Sequence, residues 1–191
     1  MAKVNYKALA ILALLSVGYF VVKANEPADL SEEKISQAAP DIQKAFISIV
    51  TTAQKKSQEV KNDMQLGGVK ASRDTELCNL LEDKSVVGWI GKVVQVSSNG
   101  DGKGVFGVEV AKNVAIRTAN NSFSDIGDHT LIDPSSQLFA DASALKPGDM
   151  VSFSGRFIVD REECLREISV TLDGSVKEPD FMFRFNEVGK I

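Results

Sequence analysis

The rhythm of apolar and polar positions changes twice along this chain. Ala8 to Val22 is an unbroken apolar run. After a polar, proline-bounded stretch (Asn25 to Pro40, read as a linker and a short helix capped by Ser31), the pattern becomes helical. Ile42, Ala45, Phe46, Ile49 and Val50 fall at i, i+3, i+4, i+7 and i+8 and make one apolar stripe. That spacing predicts a helix from Asp41 to about Leu66, ended by Gly67-Gly68. A second helix is predicted over Ala71 to Asp83, with Ser72 as its cap and Leu77, Leu80 and Leu81 facing a core. From Val86 the period switches to two. Strands are predicted over Val86–Val96, Val105–Val110, Asn113–Thr118, Met150–Val159, Cys164–Leu172 and Asp180–Val188. A long connection from Ala119 to Leu145 has room for a short helix near its end. Helices followed by five or six strands predict an α+β chain with one antiparallel sheet or barrel.

The apolar run has lysines before it (Lys3, Lys7) and small residues after it (Val22, Ala24), the layout of a secretory signal. A retained N-terminal anchor is the alternative, and both place everything after about Asn25 across the membrane. The domain reading is therefore 1–24 signal peptide or membrane anchor, 25–70 linker and helical arm, and 71–191 a β-domain with a docking helix at its start and an extra C-terminal strand.

Export changes the charge balance. Of 22 basic side chains, Lys3, Lys7 and Lys23 lie in the first segment, which has no acid, so the remainder carries 19 against 26 acidic ones. So acidic a chain is poorly suited to a phosphate backbone. Export also changes the reading of the two cysteines, Cys78 and Cys164. In an oxidising compartment they form a disulfide closing a long loop; two unpaired buried thiols are the alternative.

Candidate chemistry is sparse. Asp125, Asp128, His129 and Asp133 cluster in one loop and offer oxygen and imidazole ligands for a divalent cation. Their spacing does not match an EF-hand, and turn capping accounts for them equally simply. The loop Ser97–Gly104 is glycine-rich but has no P-loop spacing. No G-x-S-x-G elbow accompanies the single histidine, and Glu162-Glu163 are adjacent in a turn, so they point apart. Trp89, Phe153 and Phe157, in alternating strands, read as barrel core rather than as base- or sugar-stacking platforms. Phe181, Phe183 and Phe185 read as core or as a partner-facing edge.

The strand region from Val86 to Leu172 resembles an OB-fold. A bent first strand carries glycines (Gly88-Trp89-Ile90-Gly91-Lys92-Val93), and a hairpin follows through Asn99-Gly100-Asp101-Gly102. The phrase Leu145-Lys146-Pro147-Gly148-Asp149-Met150-Val151, continued by Phe153-Ser154-Gly155, is similar to the fourth strand of the bacterial tRNA-anti-like OB domains. The resemblance implies a small antiparallel OB-like β-barrel after the N-terminal helices. It also implies a ligand face on strands two and three: Phe106, Val108, Glu109, Ile116 and Arg117. The family offers no catalytic residues to carry over. The expectation is an exported, non-enzymatic binding or interaction protein of the cell envelope, in the periplasm of a Gram-negative bacterium. It takes a protein or small envelope ligand, with no cofactor and no nucleic acid, and touches membrane only through residues 1–24. The competing readings are a metal-dependent hydrolase built on the Asp125–Asp133 loop and a single-stranded nucleic-acid binder.

Overall fold

The computed structural model describes residues 30–160 and 164–191. The signal or anchor at 1–24 and the Glu162-Glu163 pair lie outside the described residues. Five helices are described: α1 (Leu30–Ala38), α2 (Asp41–Ser57), α3 (Asp63–Leu80), α4 (Gln137–Ser143) and α5 (Leu172–Lys177). The strands are β1 (Ser85–Ser98), β2 (Gly104–Ala111), β3 (Val114–Arg117), β4 (Met150–Phe157), β5 (Val159–Asp160), β6 (Cys164–Leu165) and β7 (Asp180–Lys190).

The helical stripe forms α2, with Asp41 in its first turn and Lys55 and Lys56 in its last, as the helix dipole favours. The helix stops at Ser57, short of the expected Leu66. Asn62 explains the break: its side chain accepts from the Gln65 amide at 3.0 Å and starts α3. Gly67-Gly68, expected to end a helix, lies inside α3. Ser72, expected to cap one, sits in mid-helix and bonds Glu76 at 3.3 Å. Each glycine costs about 1 kcal/mol of helix propensity. The burial of Leu66, Arg73 and Leu77 on the same helix offsets that cost.

Five strands close into a ring in the order β1-β2-β3-β7-β4, with β4 returning to β1. The expected all-antiparallel pairing is corrected at one seam. β3 and β7 run parallel, in the register Ala115–Asp180, Ile116–Phe181 and Arg117–Met182. The chain between them holds α4, β4 and α5, long enough for the crossover that parallel pairing requires. The phenylalanine-rich C-terminal strand is therefore a member of the ring rather than an addition to it. The strand expected over Cys164–Leu172 shrinks to the two residues of β6, paired with β5. Beyond them the chain lies irregularly along β7, held by Met182 N–H to Arg166 O and Ile168 N–H to Asp180 O, both 2.8 Å.

β1 serves both halves of the ring, pairing with β4 through Ser85–Lys92 and with β2 through Lys92–Ser98. Gly88, at φ 65°, sits where the register shifts and lets the strand bend. Gly155 permits the closest approach in the sheet, because a Cβ there would lie 2.2 Å from the Arg184 carbonyl oxygen.

The alternating strands turn Trp89, Phe106, Phe153, Phe157, Phe181, Phe183 and Phe185 into one buried cluster. α2 completes it. Phe46 lies 5.1, 5.5 and 5.3 Å from the rings of Trp89, Phe157 and Phe181. Gln43, also wholly buried, donates to Ile90 O at 2.6 Å and accepts from Ile90 N–H at 2.8 Å. α3 is attached differently. The Cys78–Cys164 disulfide joins it to β6, with the two Cα atoms 5.7 Å apart. Residues 31–191 form one unit. Among the described residues, no helix is long and apolar enough to cross a membrane.

Candidate functional site

The pleat splits the expected ligand face. Phe106, Val108 and Ile116 point into the ring and are buried. Glu109 and Arg117 point out, and only these two stand at a surface. Lys92 of β1 lies 2.7 Å from Glu109, directly across the β1–β2 ladder. Arg117 Nε lies 2.6 Å from Asp180, which opens β7, and Arg117 Nη1 reaches Gln95 at 3.5 Å. The parallel β3–β7 seam makes the second pair. Asp180 pairs with Ala115, two residues before Arg117, so the long arginine side chain folds back onto it.

Beside these pairs lies a cleft of about 260 Å3, lined by Val94, Glu109, Asn113, Ala115, Arg117, Glu178 and Asp180 among others. Burial raises the Asp180 carboxyl above its usual range, and Arg117 pulls it only part of the way back. The outward face thus offers a guanidinium, an ammonium and carboxylates already arranged in opposite-charge pairs. Such a face has the chemistry to take a polar group by exchange of ion-pair partners. The rings of β1 and β2, Trp89 and Phe106, are turned inward, while Phe123, next to the Ser122 that bonds the β1–β2 hairpin, is exposed.

The Asp125–Asp133 loop has a different role from the one a metal site needs. Asp125 accepts from Thr130 N–H and Oγ at 2.7 Å each and from Leu131 N–H at 3.2 Å, so its carboxylate staples the loop. Asp128 pairs with Arg166. His129 is exposed at φ 50°, and Asp133 caps the turn at Ser135 and Ser136. The Ser135 hydrogen bonds hold the Asp133 carboxyl below the usual range. The four side chains do not converge. Among the described residues no group of three or more His, Cys, Asp or Glu is placed to hold a metal ion. The Ser97–Gly104 loop is a plain hairpin, in which Asn99 Oδ1 accepts from the amides of Asp101 and Lys103.

One buried cluster escaped the pattern analysis. Arg73 of α3 is 2% exposed. Its guanidinium binds Asp74, Glu167 and the Ser175 carbonyl, and it lies 5.6 Å from the centroid of the Phe181 ring. Lys70 adds a 2.8 Å pair with Asp74. Burial pushes the Glu167 carboxyl up to about 7 despite both cations. Arg73 falls three residues after Lys70 and four before Leu77, on the side of the helix that the leucines mark as inward. That position was its one visible signal. Glu167 had none, because its segment was read as a strand.

Neither a protein-family model nor a curated protein nor a solved structure matches this chain.

Proposed function

We propose that this is an exported, non-enzymatic binding protein of the cell envelope, built on an OB-like barrel, with the outer face of β1, β2 and β3 as its ligand surface. The reading rests on one observation above the others: the ion pairs Lys92–Glu109, across β1 and β2, and Arg117–Asp180, across β3 and β7, both lie on the outer face of the five-stranded ring, and Glu109, Arg117 and Asp180 line a cleft there. In OB-folds that face and its loops take the ligand. The ring order, the bent β1 and the helix between β3 and β4 support the fold half of the proposal. The disulfide supports the compartment, since such bonds persist in oxidising surroundings. A periplasmic setting then makes a protein or a small envelope molecule the ligand.

The test is cross-linked co-purification from the envelope fraction with the wild-type chain and with Arg117→Glu. The substitution reverses the charge at the cleft, and a thermal melt checks that loss of the Asp180 pair leaves the variant folded. A partner retained by the wild type and lost by the variant is the expected result. An identical set of partners for both chains removes the face from consideration. Export is tested separately by a reporter fused after Asn25, which is expected to be active outside the cytoplasm.

A further inference from the structure

On the other side of the ring, β4 and β7 place two arginines opposite each other. Arg156 and Arg184 are direct cross-strand partners on the outer face. Like charges in that relation destabilise a sheet, and among the described residues no carboxylate forms an ion pair with either arginine. Two acids of the flanking segments are engaged elsewhere: Asp128 and Asp160 both pair with Arg166.

Arg184 is held in place by neutral groups. Its Nε donates to the carbonyl oxygens of Asp128 and His129 at 3.1 Å each, and Nη2 donates to Asp128 O. Those carbonyls belong to the loop that Asp125 staples. The guanidinium is therefore fixed in direction by neutral acceptors, and no described carboxylate forms an ion pair with it. Arg156 is exposed, and Ser85 stands opposite it on β1, so a hydroxyl continues the same row. Between the arginines and Gly127 opens a cleft of about 230 Å3, with Ile158 and Val159 on its apolar side. The Asp128 residue also lines it, but its carboxylate is bonded to Arg166.

We propose that this cleft is an oxyanion site for a phosphate group, bound between Arg156 and Arg184. Two guanidiniums with no ion-paired carboxylate among the described residues suit a doubly charged tetrahedral anion better than a single carboxylate. Arg156 offers its donor fork, and Arg184 keeps Nη1 and the second Nη2 hydrogen, since its Nε and one Nη2 hydrogen serve the loop carbonyls. The phosphate comes either free or as a lipid headgroup. The site is independent of the β1–β2–β3 face and stands or falls without it.

The experiment is a titration with inorganic phosphate at constant ionic strength. A parallel measurement uses vesicles of phosphatidic acid in phosphatidylcholine against phosphatidylcholine alone. The proteins are the wild type, Arg156→Gln and, as a control for the loss of one positive charge, Lys56→Gln, which alters an exposed residue of α2 away from both clefts. Arg156 is exposed and has no ion pair among the described residues, and a thermal melt checks that its variant folds. It is expected to bind about tenfold more weakly or worse, which is the loss of one charge-assisted contact, while Lys56→Gln binds as the wild type does. Loss in the phosphate arm assigns the site to small phosphates. Loss confined to the phosphatidic acid arm assigns it to a headgroup. Absence of wild-type binding in both arms overturns the proposal, as does equal binding by Arg156→Gln or an equal loss in Lys56→Gln.

Discussion

α2 and α3 both pack on the same ring of strands, yet they are held by opposite physics. α2 inserts Phe46 among three rings and locks its polar residue, Gln43, to the Ile90 backbone. α3 brings a disulfide and a buried charge cluster centred on Arg73. The first attachment contains no titrating or redox-active group. The second contains both. The contrast shows that one core can be closed by apolar fit on one flank and by chemistry that depends on conditions on another.

The comparison breaks most readily at Phe46. Phe46→Ala empties the centre of the aromatic cluster and is expected to cost about 3 to 5 kcal/mol, read as a shift of the urea midpoint. That cost should be the same in mildly acidic and mildly alkaline buffer. A cost that varies with pH would mean that α2 is not held by apolar fit alone. Next in size is the staple. Replacing Cys78 and Cys164 together by serine releases a loop with a sequence separation of 86, and about 2 to 4 kcal/mol is expected to be lost. Reductant should have the same effect on the wild type and none on the double variant.

The charge cluster sharpens the contrast through pH. Burial raises the Glu167 carboxyl from 4.5 to about 7. Between those values the folded protein keeps a proton that the unfolded chain has released. Glu167 therefore contributes most below pH 4.5, and that contribution is lost as pH rises towards 7. The loss is expected to be about 3 kcal/mol. Glu167→Gln, which keeps an oxygen for Arg73, should flatten that part of the stability profile. An unchanged slope would place the titration elsewhere. The smallest effect belongs to the outer face. Lys92→Ala breaks a half-exposed pair with Glu109 and is expected to cost about 0.2 to 1 kcal/mol, decreasing in salt.

Much of this architecture was legible in the pattern of residues. The α2 stripe, the β1 strand and the alternating phenylalanines of β7 follow from local periodicity, the bend of β1 follows from its glycines, the long connection ahead of β4 leaves room for a short helix, and each forms. The cysteine pair was legible too, from compartment and count. Helix ends were less so: the Asn62 cap overrode a Gly-Gly break, because docking of α3 repays a propensity cost that a local reading counts in full. The expected ligand face was half legible. Alternation says that neighbouring residues of β2 and β3 point to opposite sides, so Phe106, Val108 and Ile116 could not share a surface with Glu109 and Arg117.

What no local pattern contains is which distant residues meet. Asp180 reaches Arg117 only because β7 lies parallel to β3, and Arg156 faces Arg184 only because β4 and β7 share a register. Glu167 meets Arg73 only because an irregular segment lies beneath α3. The sequence by itself determined the class of fold, the faces of its helices and strands, and the means of its covalent closure, since these depend on period and composition. The charge pairs, the buried cluster and the facing arginines were decided by tertiary structure. Their energies depend on distance and burial, and neither exists until the ring has closed.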